Sequence, residues 1–154
     1  SVDLVKAGHN IIVSRTASKI HGLAGLRVGF GIANPALIRR LKQITTGTTN
    51  IIGLRAAIAS YRDQDFQNMS LSKNNASKEI VYNMLRDAGH RFVDSQTNFV
   101  FMHTGLQIRK FQSMMEKRGF RVGRPFPPYD DWCRLSLVSP EDTGRFAQAF
   151  REAM

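Results

Sequence analysis

"SRTASKIHGLAGLRVGF", residues Ser14–Phe30, is the most informative stretch of this sequence. It follows a strand-like run, "NIIV", and passes from a cluster of hydroxyl side chains through one lysine to a glycine-rich segment. A turn between two strands needs about one glycine, whereas four glycines lie between Lys19 and Ile32. This excess indicates a place where a ligand or another backbone approaches closely.

The polar side chains of this stretch suit a phosphate group. Thr16 and Ser18 are expected at the carboxyl end of the first strand, where open α/β sheets bind their ligands. In the following strand, "RVGFGIA", the alternation of side chains would place Arg27, Gly29 and Gly31 on one face. Arginine binds phosphate oxygens bidentately and hydroxyl groups donate further hydrogen bonds, so we predict a phosphate cradle here.

Lys19 would lie beside that phosphate. A lysine amine next to another cation, and partly removed from water, becomes nucleophilic. A nucleophilic amine beside a phosphate cradle favours a phosphorylated aldehyde, for which pyridoxal phosphate is the natural candidate. The residues alone leave a second interpretation open, a surface lysine in a glycine-rich turn, because a short serine–lysine pattern is weak evidence by itself.

The bulk composition limits the function classes. The chain has 154 residues, 42% of them hydrophobic and 22% charged, which is typical of a globular protein and fits one core. The apolar runs are too short to span a bilayer, and residues 1–15 do not resemble a signal peptide. The single cysteine, Cys133, fits a reducing compartment, so we expect a cytoplasmic protein. The four histidines lack metal-ligand spacing, so we expect no metal site.

The formal net charge of +10 has two interpretations. Basic proteins can bind nucleic acid, and a non-catalytic basic binding module is therefore the alternative from another class. However, the basic residues do not form a run, and "RRLK" at residues 39–42 falls on the polar face of a predicted helix. We therefore expect no nucleic-acid partner. The excess is also expected if the chain is a piece of a longer, more balanced protein.

The hydrophobic pattern predicts alternating helices and strands. Ile11–Val13 has the continuous apolar character of a buried parallel strand, and Asn34 followed by proline is typical of a helix start. Over residues 90–154 the alternation predicts a compact α/β layer. The further predicted elements are a helix end at Gly8, helices over 34–44 and 51–61, a helix starting near Ala76 and ending at Gly89, a strand region over 92–104, a helix closed by Gly119, a strand over 132–138 and a last helix opened by Ser139.

The segment "SRTASKIHGLAGLRVGFGIA" resembles the cofactor-lysine segment of fold-type-I pyridoxal-phosphate aminotransferases, in the histidinol-phosphate aminotransferase-like branch of class II. That segment reads hydroxyl-x-Ser-Lys and then Gly-Leu-Ala-Gly-Leu-Arg-x-Gly-aromatic, and this chain has every position. "SQTNFVF" (95–101) and "RVGRPFPPYDDWCRLSL" (121–137) also resemble family segments. Two departures are Ala17, where a larger apolar residue is common, and His21, where an aromatic residue is frequent.

The resemblance implies a role for each candidate residue. Lys19 would be the lysine that forms the Schiff base, and Thr16, Ser18 and Arg27 would hold the cofactor phosphate. Arg134 would bind the acidic group of the substrate, helped by Arg124. The implied reaction transfers an amino group between an amino acid or amino phosphate and a 2-oxo acid in a homodimer, and a decarboxylase of the same family is the alternative.

The pattern around Arg134 agrees with a role in anion binding. In "WCRLSLV" the alternation places Cys133 and Leu135 on one face and Arg134 on the other. If Arg134 is buried, it needs an anionic partner. An ion pair with Asp130 or Asp131 is the structural alternative to a substrate. Trp132 is expected in the core.

The resemblance implies an α/β fold, namely the carboxyl-terminal part of a pyridoxal-phosphate-dependent transferase. Residues 1–62 would be a piece of the large cofactor-binding domain and its sheet, and residues 63–154 the complete small domain. In the family the aspartate, asparagine and tyrosine that contact the cofactor ring precede the lysine segment. We therefore expect the isolated chain to be inactive and the strands of residues 1–62 to be mobile, rearranged or paired with another copy.

Overall fold

The structure is a computed structural model that describes all 154 residues, and the chain folds as two compact units, Ser1–Met69 and Ser70–Met154. The first unit consists of α1 (Val2–Lys6), β1 (Ile12–Thr16), a short 3-10 helix (Ala24–Leu26), β2 (Gly29–Ala33), α2 (Pro35–Ile44) and α3 (Ile51–Arg62). The long helix α4 (Gln64–Asp87) begins in the first unit and continues into the second. None of these or the later helices combines the length and the apolar character needed to cross a membrane.

β1 and β2 form a two-stranded antiparallel sheet, with Ile12 opposite Ala33 and Thr16 opposite Gly29. The prediction of a buried parallel strand at Ile11–Val13 is therefore wrong. The strand begins one residue later, runs on to Thr16 and is largely exposed. A short apolar run fits either kind of strand, and the pairing was decided by the strand that follows it in the chain.

Arg27 lies outside β2, so the prediction that it shares a strand face with Gly29 and Gly31 is also wrong. It follows the 3-10 helix in the left-handed conformation, with φ 55° and ψ 48°. A Cβ at Gly29 would lie 3.0 Å from the carbonyl oxygen of Arg15, and one at Gly31 would lie 3.3 Å from the side chain of Ile12. The two glycines therefore allow the close approach of the neighbouring strand. Of the two interpretations given above, a ligand or another backbone, the structure shows the second at these positions.

The helices of the first unit start where the sequence predicted. The side chain of Asn34 accepts a hydrogen bond from Ala36 N (2.9 Å) at the start of α2, and that of Asn50 accepts one from Gly53 N (3.0 Å) at the start of α3. α4 begins at Gln64, earlier than predicted, because Asp63 caps it by accepting from Phe66 N at 2.9 Å. The unit buries only a small core, made of Ala17, Val28 and Ala57 with Leu23 and Leu26 against them.

The second unit contains β3 (Phe92–Val93), β4 (Phe99–His103), α5 (Ile108–Glu116), β5 (Trp132–Ser136) and α6 (Pro140–Arg151). The strands form one antiparallel sheet in the order β3-β4-β5, with Phe101 opposite Arg134. The predicted strand region is divided because the Ser95 hydroxyl bonds to Thr97 and to the Phe99 carbonyl and so closes a turn. The predicted α/β layer is confirmed.

One face of this sheet packs on α4, α5 and α6 and forms the large core of the unit. Its fully buried members include Val81, Met84, Leu85, Val100, Met102, Ile108, Phe111, Met115, Cys133 and Phe150. The other face, called the outer face below, carries Phe99, Phe101, His103, Trp132, Arg134 and Ser136. The alternation along β5 is as predicted, since Cys133 and Leu135 are buried while Arg134 is exposed.

Candidate active site

The loop from Ala17 to Val28, called the lysine loop below, joins β1 to β2 and has a fixed backbone shape. Ala17 N donates to Val28 O and Leu23 N donates to Ala17 O, both at 3.0 Å. Gly22 N donates to Lys19 O at 2.9 Å, and Gly22 has a φ of +66°, which favours glycine. Ala17 is 1% exposed, so this end of the loop is held in the core while Lys19 remains at the surface.

Two hydroxyl groups meet where β1 ends. Thr16 is the last residue of β1, and its Oγ1 lies 2.9 Å from Ser18 Oγ. Ser18 N also donates to Thr16 Oγ1, at 3.1 Å. Thr16 is exposed and Ser18 is half-buried, so both can still reach a ligand at the surface. The structure thus brings together the two hydroxyl groups that the sequence singled out.

Arg27 keeps most of its hydrogen-bonding capacity. One guanidinium nitrogen, Nη1, donates to Ala24 O at 2.8 Å, and no carboxylate pairs with the side chain. The left-handed backbone costs a residue with a side chain about 1–2 kcal/mol, and the bond to Ala24 offsets part of this. Because Val28 O binds Ala17 N, the backbone of Arg27 lies beside the start of the lysine loop.

The charge of the lysine loop is uncompensated. Lys19 forms no ion pair, and the carboxylates of the first unit (Asp3, Asp63 and Asp65) lie in helices or at helix ends. Two hydroxyl groups, a guanidinium and a free amine without a carboxylate are a donor set that suits a phosphate. The residues present therefore fit a phosphorylated ligand with a carbonyl group, as pyridoxal phosphate is.

His21 is the residue of this site that sequence reasoning missed. It is 7% exposed, its Nδ1 lies 3.0 Å from Ser60 Oγ, and its ring centroid lies 3.9 Å from that of Tyr61. Ser60 and Tyr61 belong to the last turn of α3. In the sequence His21 was only a departure from a family pattern and Tyr61 carried no signal, because residues 39 positions apart show no spacing that would connect them.

Arg134, in the second unit, lies on the outer face with its guanidinium carbon 4.3 Å from the ring centroid of Phe99. The alternative of an ion pair with Asp130 or Asp131 is not what forms, since Asp131 Oδ2 lies 2.9 Å from His103 Nε2. The charge of Arg134 therefore has no carboxylate partner within its unit. Its exposure leaves it available to an anion from outside.

Arg124 lies in a segment that runs beside β5. The preceding residue, Gly123, packs so closely on the backbone of Arg134 that a Cβ there would clash with the Arg134 carbonyl. The guanidinium of Arg124 lies 4.2 Å from the ring centroid of Phe126, and its Nη1 donates to Pro125 O at 3.2 Å. Arg134 in β5 and Arg124 in the segment beside it therefore lie on neighbouring stretches of backbone, and neither has a carboxylate partner.

Trp132 lies on the outer face, so the prediction that it belongs to the core is wrong. It is half-buried and stacks on Phe101, with ring centroids 5.1 Å apart. Phe126 and Tyr129 each meet Phe101 edge-on at 5.9 Å. The physical reason is the alternation along β5, in which the neighbouring Cys133 takes the core position.

Three side chains with clearly shifted pKa values lie in the second unit. Burial raises the pKa of the Tyr82 hydroxyl, whose oxygen also bonds to Asp94 and Ser95. Burial, followed by the charge of His103, lowers the pKa of His90. Burial raises the pKa of the Cys133 thiol to about 11. These groups support the fold of the unit and are not candidate site residues.

Comparison with known proteins agrees with this geometry. The sequence profile of aminotransferase class I and II matches residues 1–150. Histidinol-phosphate aminotransferase of Moorella thermoacetica is 33% identical over the whole chain. A protein from Erwinia carotovora atroseptica, assigned as a histidinol-phosphate aminotransferase, has a crystal structure that superposes on this chain with a TM-score of 0.91 and 36% identity. The match covers 97% of this chain and 44% of the Erwinia protein. Histidinol-phosphate aminotransferase of Sinorhizobium meliloti, solved with pyridoxal 5'-phosphate, superposes on 94% of this chain and 42% of its own with a TM-score of 0.77 and 26% identity.

These matches confirm the predicted α/β fold of pyridoxal-phosphate-dependent transferases. They also show a difference in length. The chain spans about two fifths of the curated relatives that it matches, for example 41% of the Moorella protein.

Proposed function

This chain belongs to the aminotransferase class I and II family, and we propose that it supplies the cofactor lysine and the substrate-binding arginines of a pyridoxal-phosphate-dependent aminotransferase. The reaction would transfer an amino group between an amino acid or amino phosphate and a 2-oxo acid. One observation carries the proposal. The end of β1 and the lysine loop together present two hydroxyl groups 2.9 Å apart, a free amine and a guanidinium, and no carboxylate pairs with the two cations.

In this proposal Thr16, Ser18 and Arg27 hold the phosphate of the cofactor. The two hydroxyl groups and the guanidinium donate hydrogen bonds to phosphate oxygens, which are stronger than bonds between neutral partners. When bound, pyridoxal phosphate supplies an electron-withdrawing ring that stabilises negative charge at the substrate carbon. Lys19 would hold the cofactor through its Nζ, and the same amine would move the proton at the substrate carbon as general base and acid.

Arg134 and Arg124 are proposed to bind the acidic group of the substrate. Both side chains are exposed, lie against aromatic rings and lack carboxylate partners. A carboxylate or phosphate would complete their hydrogen bonds, and the planar guanidinium fixes the orientation of such a group.

The remaining expectations about the enzyme concern its assembly. We propose residues 1–62 as part of the cofactor-binding domain and residues 63–154 as the small domain of an enzyme that acts as a cytoplasmic homodimer. Because the chain spans about two fifths of its relatives, we expect it to be inactive alone. Transaminase activity of the purified 154-residue chain would contradict this expectation.

Chemical trapping tests the assignment of Lys19. After incubation with pyridoxal phosphate and reduction with borohydride, peptide mass spectrometry should locate the pyridoxyl group on Lys19 in preference to the other lysines. Thr16→Val combined with Ser18→Ala should lower labelling at Lys19 and leave labelling at Lys6 unchanged. Equal labelling of Lys19, Lys42 and Lys110 would contradict the assignment.

A further inference from the structure

We propose that His21 is a positioning residue, which fixes the lysine loop on the last turn of α3 and so sets the place of Lys19. The inference rests on the proposed role of Lys19 as the cofactor lysine. It assigns a function to a contact between residues 39 positions apart.

The lysine loop is held at two points on either side of Lys19. On one side Ala17 is buried in the core of the first unit, and on the other side His21 is buried against α3. Lys19 lies two residues from each and is exposed. The bond from Gly22 N to Lys19 O closes the turn, so the position of the His21 side chain and that of the Lys19 backbone are linked.

The contact with α3 has a polar and an apolar part. The His21 Nδ1 lies 3.0 Å from Ser60 Oγ, and the imidazole lies on Tyr61 at a centroid distance of 3.9 Å and an interplanar angle of 32°. A ring stack alone tolerates sliding, whereas a hydrogen bond requires a definite direction. If the buried imidazole nitrogen lost this partner, its unsatisfied hydrogen bond would also destabilise the fold. The bond to Ser60 therefore selects one position of the ring.

α3 is a suitable support because it also holds the other end of the lysine loop. Asn50 Nδ2, at the start of α3, donates to Leu26 O at 3.2 Å. Gly53 lies directly against Val28, since a Cβ there would come within 2.7 Å of Val28 Cγ2. A glycine-rich loop has much conformational freedom, and a reactive group must be held within about 0.5 Å of its productive position. His21 supplies the restraint that joins the part of the loop around Lys19 to α3.

The test removes the hydrogen bond from each side in the full 154-residue chain. Ser60→Ala keeps the imidazole and its ring contact, and His21→Phe keeps a ring on Tyr61 but cannot bond to Ser60. Ser60→Thr retains a hydroxyl group and serves as the rescue variant. Ser72→Ala is the matched control, because Ser72 is an exposed helical serine without a side-chain hydrogen bond.

Two measurements separate positioning from general support. Hydrogen exchange of residues 17–23 should become about fivefold faster in Ser60→Ala and in His21→Phe. This factor corresponds to the net stabilisation that one ordinary hydrogen bond provides. Trapping with pyridoxal phosphate and borohydride should show a similar fall in the ratio of Lys19 to Lys6 labelling. The double variant should be no worse than either single variant, because all three lack the same bond.

The possible results decide the proposal without ambiguity. Faster exchange confined to residues 17–23 together with a lower ratio of Lys19 to Lys6 labelling, both recovering in Ser60→Thr, supports it, and an unchanged labelling ratio overturns it. Faster exchange throughout residues 1–69, or no change at all, overturns it, since the contact would then support the whole unit or nothing. If the unaltered chain shows no preference for Lys19, the proposed function fails, and the exchange measurement still tests His21.

Discussion

Arg134 shows at the scale of one residue how a charge becomes available for binding. Its neighbour in sequence, Asp131, is engaged with His103, and the guanidinium lies on the ring of Phe99 instead. Contact with an aromatic face stabilises the cation by about 0.5–1 kcal/mol at an exposed site and leaves its N–H groups free. The arginine is thus oriented without being neutralised.

In an enzyme that contains this chain, Arg134→Ala should weaken binding of the acidic substrate by about 2–5 kcal/mol, the range for losing one partner of a charge pair that the bound substrate removes from water. The affinity for pyridoxal phosphate should not change, because that site is formed by other residues. Substrate titration followed by the cofactor spectrum measures both values. Arg121→Ala is the control, since the Arg121 side chain is 90% exposed and pairs with Glu116 in water. An unchanged affinity for the amino donor in Arg134→Ala would refute the role.

Cys133 gives a prediction about stability and pH. Burial raises the pKa of its thiol from 9.0 to about 11. In the unfolded chain the thiol loses its proton near pH 9, while the folded unit retains it up to about pH 11. Its contribution is therefore fully present below pH 9 and is lost as the pH rises through 11, by about 2–3 kcal/mol in total.

Urea unfolding of the second unit at a series of pH values checks this effect, with Trp132 fluorescence as the signal. The free energy of unfolding should fall less steeply above pH 9 in Cys133→Ala than in the unaltered chain. Cys133→Ala also leaves a small cavity, so the comparison concerns the slope and not the absolute stability. Parallel pH profiles of the two proteins would show that the thiol is not responsible.

Among the elements, α3 approaches Val28, the last residue of the lysine loop, through a glycine. Gly53 is buried, and an added Cβ would lie 2.7 Å from Val28 Cγ2 and 3.1 Å from Asn50 Nδ2. Asn50 forms the cap of α3 and also bonds to Leu26 O. One missing side chain therefore permits both the packing of the helix and the contact of its cap with the lysine loop.

Gly53→Ala should destabilise the first unit by about 1–3 kcal/mol, because the methyl group forces α3 away from Val28. Gly144→Ala in α6 is the matched control, as nothing lies within 4 Å of its added Cβ, and it should stabilise the second unit by about 1 kcal/mol. Hydrogen exchange resolved by peptide measures each unit separately. If Gly53→Ala stabilises its unit as Gly144→Ala does, the close approach does not exist in solution.

At the scale of the whole molecule, the two units differ in how much apolar surface they bury. The second unit has a core in which ten or more large side chains are inaccessible to water, whereas the first buries Ala17, Val28 and Ala57. In the first unit Ile52 is 77% exposed and Ile51 is 64% exposed. The sheet of that unit has only two strands, so each strand has an unpaired edge.

We therefore expect the second unit to be the stable part of the chain and the first unit to associate with another copy. Hydrogen exchange should be slower in residues 70–154 than in residues 1–69 at low concentration, and a chain of residues 63–154 should keep the protection of the second unit. Sedimentation velocity should show association that rises with concentration.

Charges on the edge strands identify the surface involved. Ile12→Lys in β1 should weaken the association, since lysine on an edge strand opposes pairing between chains. Val93→Lys in β3 is the control, because Val93 is also an exposed residue of an edge strand but belongs to the second unit. A monomer at all concentrations with slow exchange in β1 and β2 would contradict the expectation.

Features that depend on nearby residues could be predicted from the amino-acid sequence. Asn34 and Ser139 cap their helices as predicted, and Gly89 and Gly119 follow the ends of α4 and α5 with positive φ. These signals were readable because a cap or a glycine stop is completed within a few residues. The lysine segment was readable for the same reason, since its hydroxyl groups, lysine and arginine lie within 12 positions of each other.

Features that join distant parts of the chain could be seen only in the folded molecule. β1 proved to be antiparallel and exposed, Arg27 left the strand for a left-handed turn, and Trp132 moved to the outer face. The partner of His21 is Ser60, and that of Asp131 is His103 and not Arg134. Each of these results depends on which surfaces pack together, and a short pattern that is compatible with several partners does not specify one of them.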